Sequence, residues 1–118
     1  MRSRPAYQLM LEYLDVSVFF EIDTSWVHVA GLDPAAVVAE LGSRAPLLHL
    51  NDGPGIKDAP MVALGTGVMD IPPIIAAGEG TTDYLIVELD HCASDMLTAV
   101  EQSYHYLGTG GLARGTTR

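Results

Sequence analysis

Three apolar runs in this chain end in groups that bind protons or metals. Val16-Ser-Val-Phe-Phe-Glu-Ile-Asp23 closes on Glu21 and Asp23, Pro46-Leu-Leu-His-Leu-Asn-Asp52 on His49 and Asp52, and Asp83-Tyr-Leu-Ile-Val-Glu-Leu-Asp90 on Glu88 and Asp90. If each run is a β-strand, the two-residue side-chain period puts Glu21 with Asp23, and Glu88 with Asp90, on one face. In parallel α/β folds, sites gather at the carboxyl ends of strands. Asp23, His49 and Glu88 would then converge from three neighbouring strands. A carboxylate–imidazole–carboxylate set suits Mn²⁺, Mg²⁺ or Co²⁺, with Zn²⁺ or Fe²⁺ as further options. The same residue types also end strands that simply emerge into solvent, so the pattern alone leaves both readings open.

Elements able to position these residues follow from periodicity and capping signals. Tyr7, Met10, Leu11 and Leu14 recur at helical spacing, predicting a short helix over Pro5–Leu14. The three apolar runs read as strands buried on both faces. Asp33-Pro34 opens a second helix, with Asp33 as N-cap and Pro34 in the first helical position, and Gly42 stops it. The loop Gly53–Gly67 is long enough to serve an active site. Asp70 caps a third helix with Pro72 and Pro73 in its first turn. Ser94 or Asp95 begins a fourth, carrying Met96, Leu97, Val100, Tyr104 and Leu107, and Gly108 is its expected stop. Residues 108–118 read as a flexible tail. A helix followed by three strand–helix units implies a parallel sheet.

Composition narrows the class. The chain has 118 residues, 48% hydrophobic and 18% charged, enough for one domain with a modest core. Six Lys and Arg against 15 Asp and Glu give a formal charge of -9, which repels phosphate backbones and argues against a nucleic-acid partner. The single Cys92 rules out an internal disulfide and a cysteine-rich zinc site. No apolar run approaches the roughly 18 residues of a membrane span, and the start lacks an apolar signal core. The expected location is the cytoplasm.

Weaker signals carry less. Gly65-Thr-Gly67 follows a loop and lacks the third glycine of a dinucleotide fingerprint. His28 and His91 read as loop histidines at the rim of a site or at the surface, and His105 as a solvated helix residue. Cys92 has only His91 beside it and is no nucleophile by this reading. Lys57 and Asp58 lie in the long loop, within reach of a substrate or merely solvated.

Glu21-Ile-Asp-Thr-Ser-Trp-Val-His-Val-Ala-Gly-Leu-Asp-Pro34, Leu48-His-Leu-Asn-Asp52, Leu64-Gly-Thr-Gly-Val-Met-Asp70 and Ile86-Val-Glu-Leu-Asp90 together resemble the xylose isomerase-like sugar phosphate isomerase/epimerase family. The resemblance spans residues 16–107. It implies the last three strand–helix units of a (β/α)₈ TIM barrel, in a single partial domain over 1–118. It also implies a divalent metal held by Asp23, His49 and Glu88 in the second to fourth ligand positions, with Glu88 doubling as catalytic acid/base. Trp26 and Asp52 become substrate contacts, for a small carbohydrate or polyol epimerised or isomerised through an enediolate. A lyase of the inosose-dehydratase kind and a non-catalytic, partner-binding remnant are the alternatives. Trp26 stands where many of these epimerases carry a His, and Asn51 where His-Leu-Lys-Asp is common, removing a cationic contact. An eight-unit barrel takes roughly 250 residues. The first ligand, a Glu on the preceding strand, has no counterpart, and Glu12 on the first helix is a poor substitute. The chain is therefore expected to bind metal weakly and to associate with copies of itself or with missing N-terminal strands. Glu21, deeper along its strand, is expected to matter less than His49.

Overall fold

A computed structural model describes residues 3–115. The element order is α1 (Ala6–Tyr13), β1 (Glu21–Asp23), α2 (Thr24–Val29), α3 (Pro34–Leu41), a 3₁₀ turn (Gly42–Arg44), β2 (Leu47–Leu50), α4 (Ile71–Ala77), β3 (Tyr84–Val87) and α5 (Met96–Thr109). The three strands form one parallel sheet in the order β1-β2-β3. The protein is thus α/β, with the strand–helix alternation that its sequence predicts. Among the described residues no helix is long and apolar enough to cross a membrane.

Register sorts the side chains between two faces. Ile22 pairs with Leu48 and Leu48 with Leu85, while Asp23 pairs with His49 and His49 with Ile86. Ile22, Leu48 and Leu50 point into the core, where Val37, Val38 and Leu41 of α3 and Ile71 and Ile74 of α4 cover them. The opposite face carries Glu21, Leu47, His49, Tyr84 and Ile86, all partly or well exposed. The expectation of strands buried on both faces is therefore corrected: only the helix-facing side is covered.

The first strand is also shorter than predicted. Val16 is 77% and Phe19 66% exposed, and neither joins the sheet. A strand exists only where a partner accepts its hydrogen bonds. Opposite Val16–Phe20 the neighbouring segment is the 3₁₀ turn, which accepts a single bond from Phe20 N–H to the Arg44 carbonyl at 2.7 Å, followed by Pro46, which has no N–H to give. Arg44 holds this segment instead, donating to the carbonyls of Val18 (3.0 Å) and Asp15 (3.2 Å) and lying over the Phe20 ring. The second and third strands contract from 46–52 to Leu47–Leu50 and from 83–90 to Tyr84–Val87. Pairing continues for one further bond, from Glu88 N–H to the Leu50 carbonyl at 3.1 Å.

Helix starts follow their caps. Asp33 accepts from Ala35 N–H at 3.0 Å and Asp95 from Thr98 N–H at 2.9 Å. Asp70 occupies the N-cap position of α4 without a side-chain capping bond. α5 passes through Gly108 and ends at Thr109, because the left-handed residue that turns the chain is Gly111 (φ 66°). Leu112 and Ala113 then fold back onto the core, so the expected flexible tail is packed at those residues. Positions 116–118 of that tail lie outside the described residues. α1 docks through Tyr7 and Gln8, both hydrogen-bonded to Glu40 of α3.

Candidate metal centre

Asp23 ends β1, His49 lies in β2 opposite it, and Glu88 follows β3 on the same face. One ligand atom from each lies within 4.8 Å of the other two, close enough to hold one metal ion. His49 Nδ1 is 2.6 Å from Glu88 Oε2 and 3.9 Å from Asp23 Oδ2. All three side chains are about one-quarter to one-third exposed, so the cluster is open to solvent yet flanked by protein. Two carboxylates and an imidazole form a hard–borderline donor set that fits a divalent first-row ion or Mg²⁺.

Each group is held from behind. Asp23 divides its two oxygens between two tasks. Oδ1 caps α2, accepting from Trp26 N–H and Ser25 Oγ–H, each at 3.2 Å. Oδ2 faces the cluster and accepts from Asn51 Nδ2 at 3.2 Å. Asn51 is 1% exposed, and its Oδ1 accepts the Ser25 amide at 3.3 Å. Asn51 is thus a clamp on the Asp23 carboxylate. Thr24, fully buried, donates to the His49 carbonyl at 2.9 Å and ties the ends of β1 and β2 together.

His49 sits between two carboxylates, since its Nε2 is 2.6 Å from Glu21 Oε1. Sequence reasoning ranked Glu21 low because it lies deeper along the strand. Its long side chain reaches up the same face to the ring, a contact that the two-residue spacing of Glu21 and Asp23 already permits. Burial draws the His49 pKa down, but the bonds and charges of Glu21 and Glu88 outweigh it and hold the imidazole above its ordinary 6.5.

Asp52 is 1% exposed and is fully engaged by backbone. Its Oδ1 accepts from Gly53 N–H (2.8 Å) and Met69 N–H (3.0 Å), and its Oδ2 from Gly65 N–H (3.0 Å) and Gly67 N–H (3.1 Å). The carboxylate is the anchor of the long loop. Gly65-Thr-Gly67 gains its meaning here: a Cβ at Gly67 would lie 2.2 Å from Asp52 Oδ1, so only glycine lets the amide approach.

Trp26, 44% exposed, lines an open cleft of about 180 Å³ with Ser25, Lys57, Asp58, Asp90 and His91. Asp90 is exposed and stands outside the Asp23–His49–Glu88 cluster. His28 is an exposed residue of α2, and His105 lies 3.9 Å from Glu101 on the surface of α5. Cys92 has Ser94 as its side-chain neighbour, at 3.6 Å, and Glu12 is paired with Arg4 at 2.8 Å, away from the cluster. α2 itself went unpredicted. Its signal was Asp23 as an N-cap, masked by the β-branched residues Thr24, Val27 and Val29.

Compared with models of known protein families, with curated proteins and with solved structures, the chain finds no match.

Proposed function

We propose that the protein contributes a divalent-metal centre to an isomerase or epimerase of small sugars, sugar phosphates or polyols, its sheet being a sector of a (β/α)₈ barrel. The observation that carries this reading is the meeting of Asp23, His49 and Glu88 within 4.8 Å at the carboxyl ends of three adjacent parallel strands. A divalent cation, when bound, supplies positive charge to stabilise an oxygen that gains negative charge as a neighbouring C–H loses its proton. Glu88 is the group placed to take and return that proton, its carboxylate being one-third exposed. Asp23, clamped by Asn51 and the α2 amide, holds its oxygen in place without cost at the moment of binding. Trp26 offers an indole face in the adjoining cleft for the apolar face of a sugar ring.

The test is in two parts. Calorimetry with Mn²⁺ should give weak binding, since three protein ligands leave positions for water, and His49→Ala should remove it. Incubating the Mn²⁺-loaded protein with ketoses, aldoses and their phosphates in D₂O should then show deuterium entering the carbon beside the carbonyl. This half-reaction requires one base and no complete proton-transfer pair. Absence of Mn²⁺ binding sinks the proposal.

One observation favours a second reading. His49 bridges Glu21 and Glu88 at 2.6 Å on either side, an ion network that satisfies itself without a metal. Under that reading the cluster is a clip across the strand ends, and added Mn²⁺ changes neither melting temperature nor the His49 resonances.

A further inference from the structure

Beside the candidate metal centre runs the open cleft of about 180 Å³, whose wall includes Ser25 and Asp90, each two residues beyond a member of the Asp23–His49–Glu88 set. Trp26 lines it too, with Lys57, Asp58 and His91 from two loops. A ligand seated at the cluster has this space to extend into, so the lining decides which substituents it accepts. The fixed charges there are unequal. Lys57 is the only lysine in the chain, and among the described residues no arginine lines the cleft. Asp58 and Asp90 oppose it, and Glu21, Asp23 and Glu88 surround the cluster, so one ammonium and a bound divalent cation would face five carboxylates.

We propose that this cleft accepts an uncharged polyhydroxylated ligand, a free sugar or polyol, and turns phosphate esters away. The proposal rests on the carbohydrate reading above and narrows its substrate class. A phosphate monoester carries a charge of about −1.5 to −2 near neutrality and is held by arginine, by lysine or by free backbone amides. The amides around this cleft are already occupied. Those of Gly53, Gly65 and Gly67, a glycine-rich set of the kind that cradles phosphate, all donate to Asp52, a carboxylate of the chain's own in the cleft wall. In the first turn of α2, the Ser25 amide donates to Asn51 and the Trp26 amide to Asp23. An incoming phosphate would find one ammonium, with Asp58 beside it in sequence. A hydroxyl group has no such difficulty, because it donates to Asp58 or Asp90 and accepts from Lys57 with no charge of its own. The indole of Trp26 covers the C–H face that remains.

Trp26 is the only tryptophan in the chain, so its fluorescence reports on the cleft directly. The protein is titrated at low ionic strength, with and without Mn²⁺, using D-fructose, D-ribulose and sorbitol, each beside its terminal phosphate monoester. The free compounds should change the emission. Each ester should bind at least about tenfold more weakly than its parent, the effect of bringing a dianion to about 7 Å from a carboxylate in water. Added salt should narrow that ratio by screening. Asp58→Asn should narrow it about threefold through the loss of one charge. Asparagine suits this test because it tolerates the left-handed backbone of Asp58, at φ 64°. An ester that binds as tightly as its parent, or more tightly, overturns the proposal and leaves the metal reading standing. An emission that none of the free compounds moves overturns the cleft as a carbohydrate site. A ratio unmoved by both salt and Asp58→Asn overturns charge as the cause. Calorimetry with Mn²⁺ alone judges the metal centre separately: no Mn²⁺ binding, together with discrimination in the metal-free titration, sinks the metal reading and keeps the cleft.

Discussion

His49 links the chemistry of the site to pH in two opposite directions. Its pKa is held above 6.5, despite burial, by Glu21 and Glu88. In the metal-free chain this raised value stabilises the fold fully below the unfolded pKa of 6.5, and the contribution fades as pH rises through the higher folded value. The melting temperature of the wild type, measured relative to His49→Gln, should therefore decline as pH rises from 6 upward. Metal affinity should run the other way. The cation displaces the proton, so Mn²⁺ binding should strengthen across the same window and release a proton in calorimetry. A melting difference independent of pH would mean that the carboxylates do not charge the ring. Asp52 makes a different case. Its four backbone donors lose their acceptor together in Asp52→Ala, and each bond to a charged acceptor contributes about 1.5–3 kcal/mol. We expect that variant to lose at least about 3 kcal/mol in urea denaturation, with the damage centred on the 53–67 loop.

At the scale of elements, α2, α3 and α5 each start at an aspartate whose side chain caps them. Asp33→Ala removes the bond to Ala35 N–H and should cost about 1 kcal/mol, checked by chemical denaturation. Gly67→Ala should cost more, about 1–3 kcal/mol, because the new Cβ would press on Asp52 Oδ1 and on the Gly53 carbonyl at 2.5 Å. If Gly67→Ala melts like the wild type, the loop is not clasped as described. β2 is the central strand, and Leu48 at its middle is wholly buried between α3 and α4. Its face alternates with that of His49, so the packing that buries Leu48 also aims His49 at the cluster.

The whole molecule carries one covered and one open sheet face. Among the described residues β1 and β3 each pair on one side only, which leaves two backbone edges free. Tyr84 on this open face is exposed, as are Val16 and Phe19 in the segment before β1. Apolar area and open edges favour association, while a charge of -9 opposes it through long-range repulsion. Self-association should therefore grow with both protein concentration and salt in sedimentation equilibrium. A chain that stays monomeric at high salt would show that the open face carries too little apolar area to bind.

Much of this protein can be read from its sequence, because its signals are local. Asp33-Pro34 and Asp95 mark helix starts through a bond that spans two or three residues. Alternation of Glu21, Asp23, His49 and Glu88 with Ile22, Leu48 and Val87 fixes which side chains share a face, since the pleat admits no other choice. The parallel α/β class and the Asp23–His49–Glu88 trio follow from those rules. Tertiary structure decided what depends on partners distant in the chain. Val16–Phe19 has strand-forming residues but turns back on itself, Ser17 and Val18 donating to Asp15, while Arg44 takes the carbonyls of Asp15 and Val18. Asp52 reads as a site residue until the amides of Gly65, Gly67 and Met69 converge on it from 13 to 17 positions away. Asn51 becomes a clamp only once β1 lies beside β2, and Glu21 becomes a partner of His49 only because register places the two within one side chain's reach. Local composition determines what a residue is able to bond; the pairing of strands 26 to 28 residues apart determines which bond it makes.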